Sequence, residues 1–206
     1  AVEREDEEGA KRRSGLWTHL IRWTGKLARM ACAAISCSIV VRTWAERLGP
    51  REDFRVGMVW GGNPEHTNDA KRSIDLGLLK PLIQIPGVSI YSLQVRRDGE
   101  AKAVFGDAIT DLAPELKDFA ETAAVIRNMD LVVSVDTAVA HLAGALGHQV
   151  WTLLPFMPDW RWLFDRDDSP WYPSLRLFRQ AVPGDWRDLI ERVREELAKL
   201  TTPPLD

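Results

Sequence analysis

Short apolar runs closed by glycine, proline or asparagine alternate along this chain with segments whose apolar positions recur at helical spacing. Phe54-Arg-Val-Gly-Met-Val-Trp60 is bounded by Gly61-Gly62-Asn63-Pro64, which predicts a buried strand and then a loop. Ile74 to Leu82 has helical spacing, and Ser73 is placed to cap it with Leu76 and Leu79 inward. Val88 to Gln94, after Pro86-Gly87, reads as a second strand, and Ile109 to Leu112 as a third. Ala120 to Met129 predicts a short helix, Asp130 to Val135 a strand, and Thr137 to Leu146 a helix ended by Gly147. Val150 to Leu154 predicts a strand stopped by Pro155, and Leu175 to Phe178 a last strand. Asp185 to Leu200 is an amphipathic helix with Trp186, Leu189, Ile190, Val193, Leu197 and Leu200 on one face.

Strands that alternate with helices imply an α/β fold: a Rossmann-like parallel sheet with helices on both faces and right-handed crossovers. Ligands of such sheets bind at the carboxyl ends of the strands. Function is therefore expected just after Trp60, Gln94, Val135 and Leu154. The region before the sheet reads differently. Residues 1–13 are nearly all charged or small, a flexible tail in expectation. Leu16 to about Trp44 is partly helical in period with a basic face, which fits a helix packed on the domain or on a partner, or one lying on a membrane surface. Gly49-Pro50 punctuates, so 1–50 is read as a tail and helical extension and 51–206 as the Rossmann-like domain.

Composition narrows the classes. With 206 residues, 45% hydrophobic and 28% charged, the chain suits one domain, or one half of a two-domain enzyme. A net charge of −3 gives no basic field to gather nucleic acid, and none is expected as a partner. Cys32 and Cys37 have no His or Cys cluster nearby, so neither a metal site nor a disulfide framework is expected. The apolar run Met30 to Val41 is too short for a span of roughly 20 residues, and no signal peptide is read, so a cytoplasmic location is expected. Five of the nine tryptophans lie between Trp151 and Trp186. The stretch Trp160 to Trp171 has two readings: a core plug, or a wall beside the ligand cleft with Asp159 or Arg161 touching the ligand.

Candidate chemistry concentrates in Ser134-Val-Asp-Thr-Ala-Val-Ala-His141. A buried strand ends at Val135 and a helix of small residues begins at once. Asp136 or Thr137 can cap it, and Ala138 keeps side chains away from the first free N–H groups. With the helix dipole, this is an anion site suited to phosphate. His141 lies one turn after Thr137 on the same face, able to donate to a phosphate oxygen. A capped helix with a packed histidine is the alternative. The loop Gly61 to Ser73 brings His66, Lys71 and Arg72 to the same edge, and an arginine fork suits a diphosphate.

Several stretches together carry a resemblance: Val56-Gly-Met-Val-Trp-Gly-Gly-Asn-Pro64, Lys71-Arg-Ser-Ile74, Asp118-Phe-Ala-Glu-Thr-Ala123, Asp136 to Gly147, Pro158-Asp-Trp-Arg-Trp-Leu163, Asp168-Ser-Pro-Trp-Tyr-Pro173 and Arg176-Leu-Phe-Arg-Gln180. From about Val41 to Leu200 the chain resembles the C-terminal, nucleotide-sugar-binding half of bacterial tetratricopeptide-repeat glycosyltransferases. That half is similar to the ADP-heptose lipopolysaccharide heptosyltransferases and, more distantly, to O-GlcNAc transferase. The resemblance implies one half of a GT-B fold, with 51–206 as the donor domain. It implies that Arg72 contacts the donor phosphates, that Asp136, Thr137 and Ala138 hold the diphosphate, and that His141 is the polar residue one turn in. It places Phe119 and Thr122 at base and ribose contacts and Gln94 at the end of the second strand. It further implies no metal and no cofactor beyond the nucleotide-diphosphate sugar, which is substrate. The roughly 50 residues before Phe54 do not accommodate the family's other Rossmann-like half or a repeat array. The acceptor site and its base are therefore expected on an acceptor-domain or repeat-domain partner, and the isolated chain is expected to be inactive. Gly147-His148-Gln149 departs from the family's Gly-Lys-Pro. The competing expectation is a nucleotide-binding module without catalysis.

Overall fold

The computed structural model describes residues 38–201, except 66, 68 and 98. The charged tail, most of the N-terminal helical reading, both cysteines and His66 lie outside the described residues. The chain runs α1 (Ser38–Leu48), β1 (Phe54–Val59), α2 (Asp69–Arg72), a 3-10 turn (Leu76–Leu79), α3 (Lys80–Ile83), β2 (Val88–Ser92), α4 (Glu100–Phe105), β3 (Thr110–Asp111), α5 (Phe119–Ile126), β4 (Leu131–Val135), α6 (Ala138–Ala145), β5 (Val150–Leu154), β6 (Leu175–Arg179) and α7 (Trp186–Thr201).

The strands form one sheet in the order β3-β2-β1-β4-β5-β6. Every pairing is parallel, with Val56 opposite Ile90, Met58 opposite Val133, Val133 opposite Trp151 and Thr152 opposite Leu177. The order reverses between β1 and β4, and that is where a doubly wound sheet opens its crevice.

The central strands β1, β4 and β5 read as mostly apolar runs because both faces are covered. Along β4 the residues alternate between two layers. Leu131 and Val133 pack with Val56, Met58, Leu82, Leu153, Leu189 and Val193. Val132 packs with Trp44, Ile126, Met129, Leu142 and Tyr172. Helices α3 and α7 cover the first face, and α1, α5 and α6 the second. Trp44 anchors α1 there and donates its indole N–H to Glu121 of α5. In α7, Leu189, Ile190, Val193 and Leu197 are buried. Each such side chain contributes about 1.5–3 kcal/mol. Leu200, predicted on the same face, is exposed in the last turn of the helix.

Two local readings are corrected. The helix predicted from Ile74 to Leu82 is a 3-10 turn followed by α3, with Pro81 in the first turn of α3. Its cap is Asp75, which accepts from the Gly77 amide at 2.7 Å. Ser73 instead donates its hydroxyl to Asp69 Oδ2 at 3.1 Å. No helix among the described residues is long and apolar enough to cross a membrane.

Candidate functional site

At the carboxyl end of β1 the chain leaves the sheet through Trp60 and Gly61. Both amides donate to Gln94 Oε1, at 3.0 and 2.8 Å. Gln94, buried just beyond β2, thereby clamps the start of the loop, and its Nε2 donates to Val95 O. The two glycines that follow are required by close approach. A Cβ on Gly61 would lie 2.7 Å from Arg97 Cζ. One on Gly62 would lie 2.3 Å from Asp69 Oδ1 and 2.4 Å from Arg72 Nη2. The backbone has withdrawn its side chains to admit two guanidiniums.

Asp69, buried in α2, organises those guanidiniums. Its carboxylate accepts from Arg72 Nε at 3.3 Å, Arg97 Nη2 at 3.0 Å and the Ser73 hydroxyl. A buried carboxylate needs such partners. Arg72 Nη1 then donates to the Asp136 carbonyl at 3.0 Å, bringing the cation from the loop after β1 to the segment after β4.

That segment opens α6. Thr137 occupies the N-cap position with extended backbone, yet no side chain caps the helix. The expected cap by Asp136 or Thr137 is not formed, because both side chains are engaged elsewhere. The Ser134 hydroxyl donates to Val135 O, so the Thr137 hydroxyl donates to Ser134 Oγ at 2.9 Å. The Asp136 carboxylate faces His141, with Oδ1 3.6 Å from Nε2. The first amides of α6 thus remain without a side-chain acceptor, with the dipole behind them and Arg72 beside them.

His141 is packed as well as paired. Its ring stacks on Trp162 at 4.9 Å and 21°, and its Nδ1 lies 3.3 Å from the Tyr172 hydroxyl. Gly144 makes room for Tyr172, since a Cβ there would lie 2.6 Å from its ring. Burial alone would raise the Asp136 carboxyl. The hydrogen bond and charge of His141, the nearby Trp162 indole and the Arg72 charge outweigh it and hold the group below its ordinary value. Burial pushes the Tyr172 phenol up to about 12, against the opposing charge of Arg161.

The third wall is the start of α5. Asp118 caps it, accepting from the Ala120 and Glu121 amides at 2.8 and 2.9 Å. Thr122 is buried, with its hydroxyl on Asp118 O at 2.9 Å. Phe119 is half-buried in the first turn.

These walls enclose an open cleft of about 640 Å³. Arg72, Gln94, Phe119, Thr122, Asp136, Thr137, Ala138 and His141, all eight residues expected from sequence, line it. Within it, the Gln94 carbonyl and the Thr122 hydroxyl already serve the protein's own backbone. Lys71, expected near the anion site, is exposed and does not line the cleft. The sequence reading missed Asp69 and Arg97. The Asp69–Arg72 spacing of three on a helix was the available signal. It also passed over Arg96 and Lys117, which line the cleft; Arg96 holds a left-handed backbone at φ 69°. In the Trp-rich stretch Trp162 is buried in the core and Trp160 is exposed, while Asp159 and Arg161 border the cleft. Among the described residues no three His, Cys, Asp or Glu side chains gather as a metal ion would need.

Comparisons with known proteins bear on the fold. Residues 94–156, from Gln94 past β5, match the model of glycosyltransferase family 9 (heptosyltransferase). The chain is 29% identical over 161 residues to protein FlbA of Caulobacter vibrioides, covering 74% of this chain and 26% of that protein. Its fold is similar to E. coli ADP-heptose lps heptosyltransferase II (TM-score 0.56, 19% identity, 79% of this chain and 51% of that one). It is also similar to a glycosyl transferase family 9 structure from Veillonella parvula (TM-score 0.54, 11% identity, 83% and 50%). The chain thus spans about a quarter of the curated relative and half of each solved structure. The matched segment and the shared fold together mark this as a glycosyltransferase-like domain with the fold of family 9 heptosyltransferases.

Proposed function

We propose that the cleft binds a nucleoside-diphosphate sugar, and that the domain is the donor-binding half of a metal-independent glycosyltransferase. The observation that carries this is the uncapped start of α6 with the Arg72 guanidinium on the Asp136 carbonyl beside it. Peptide N–H groups at a helix start and an arginine fork are the donors that a diphosphate accepts from. The cleft continues past them to Phe119, whose half-exposed ring offers a face to a nucleobase.

In the transfer, an acceptor hydroxyl oxygen attacks the anomeric carbon while the bond from that carbon to the distal phosphate oxygen breaks. The acceptor proton passes to a base on the acceptor-binding half, and the electron pair leaves with the diphosphate. This chain's contribution is to stabilise the charge that develops there. Losing one such donor typically costs about 3 kcal/mol of transition-state stabilisation. The acceptor is assigned to a second half or a partner, so this chain alone is expected to bind without turnover.

A thermal-shift panel of UDP, GDP, ADP and CMP, with and without magnesium, tests the reading. A ligand at about 100 times its Kd stabilises by about 2.7 kcal/mol. The expected result is a magnesium-independent shift with one diphosphate, reduced in Arg72→Ala. No shift with any diphosphate, or one that requires magnesium, overturns it.

A further inference from the structure

Strand β4 lies between β1 and β5, so the start of α6 is flanked on one side by the loop after β1 and on the other by the connection from β5 to β6. The first flank supplies Arg72. The second supplies a short 3-10 turn, Trp160–Trp162, whose cap residue Asp159 and middle residue Arg161 both border the same cleft.

The backbone of this turn is fixed from several directions. Asp159 Oδ1 accepts from the Arg161 amide at 3.1 Å, and the Trp171 indole donates to the Arg161 carbonyl at 3.0 Å. Arg179 donates to the Trp162 carbonyl, and the buried Trp162 ring stacks on His141 of α6. The turn is therefore tied to the helix whose amides face the ligand. The two side chains it presents are only partly covered: Arg161 and Asp159 are 36% and 35% exposed and pair at 2.7 Å. Arg161 shares the lining of the cleft with Thr137 and Ala138 at the start of α6.

We infer that Asp159 and Arg161 form the sugar-side wall of the donor site, with Arg161 donating to the distal phosphate and Asp159 accepting from hydroxyls of the sugar. The inference rests on the donor-binding reading above. A nucleotide sugar ends in two kinds of chemistry: phosphate oxygens that accept, and a polyol whose hydroxyls donate. A guanidinium fork suits the first. The carboxylate suits the second and repels the first, which sorts the pair by direction. A partly exposed ion pair is a weak bond, so it re-forms around a ligand readily.

Calorimetric titration of the chain separates the roles. The probes are the diphosphate selected by the thermal-shift panel, its monophosphate and its glucose conjugate. Asp159→Asn keeps the oxygen that caps the turn while removing the charge. It is expected to weaken the glucose conjugate by about ten-fold and leave the diphosphate within about two-fold. Arg161→Ala is expected to weaken diphosphate and conjugate alike by about ten-fold, with the monophosphate unchanged. Wild-type affinities in both variants overturn the inference, as does equal weakening of all three ligands. Failure of the wild type to bind any diphosphate overturns the donor reading itself, and the inference with it.

Discussion

Asp69 Oδ1 lies 3.3 Å from Arg72 Nε, and this pair turns the guanidinium so that Nη1 reaches the Asp136 carbonyl at 3.0 Å. Arg72, which lines the cleft, is thus aimed by a carboxylate that does not. Asp69→Asn keeps the size and removes the charge. It is expected to weaken diphosphate binding by about ten-fold, toward the value for Arg72→Ala. If Asp69 acts through Arg72, the double variant binds no worse than Arg72→Ala alone. Additive losses in the titration would show that Asp69 acts by another route.

Gly62→Ala tests the same cluster from the backbone side. The new methyl would meet both the Asp69 carboxylate and Arg72 Nη2. Overpacking of this kind costs about 1–3 kcal/mol. Chemical denaturation should show that loss, and titration should show weaker diphosphate binding, because the side chain forced to move is Arg72.

Trp162→Ala removes a buried ring and the stacking partner of His141. A loss of about 3–5 kcal/mol is expected in the urea midpoint analysis. A loss below about 1 kcal/mol would mean that the ring is not the packing element described above.

The titrations of Asp136 and Tyr172 each have a definite sign. Asp136 is held below its ordinary value, first against burial and then by His141, Trp162 and Arg72. Its contribution to stability is therefore complete above the group's ordinary value of 3.8 and is lost as pH falls through the lower folded value. Acid denaturation of Asp136→Asn should lack this component, while an unchanged acid limb would contradict it. At the other end, burial raises the Tyr172 phenol from 10.0 to about 12. The stability it contributes is present below 10.0 and is lost as pH rises through about 12. The protein has only two tyrosines, so ultraviolet titration of Tyr172→Phe against the wild type isolates this group.

Strands β1, β4 and β5 were legible because they are buried along nearly their whole length and are mostly apolar; Val150–Leu154 was read to the residue. The site residues came together because they follow strand ends, and a parallel sheet gathers those ends along one edge. Charged loop residues carry no such signal. Asp69 and Arg97 are 28 positions apart, and only the pairing of β1 with β2 makes them neighbours. The cap of α6 was misread for a related reason. Thr137 is the residue type a cap requires, but Ser134, three positions earlier, offers its hydroxyl a partner. Helix α4 went unread because its six residues are too few to display a period.

Both margins of the sheet are blunted. The outermost strand on one side, β3, is two residues long. On the other, β6 is bridged by the passing chain, with Asp168 opposite Arg176 and the Leu177 amide bonded to Asp167. Neither border offers a run of vacant peptide groups long enough to template another chain. Among the described residues, addition of another chain's strand at either border is thereby disfavoured.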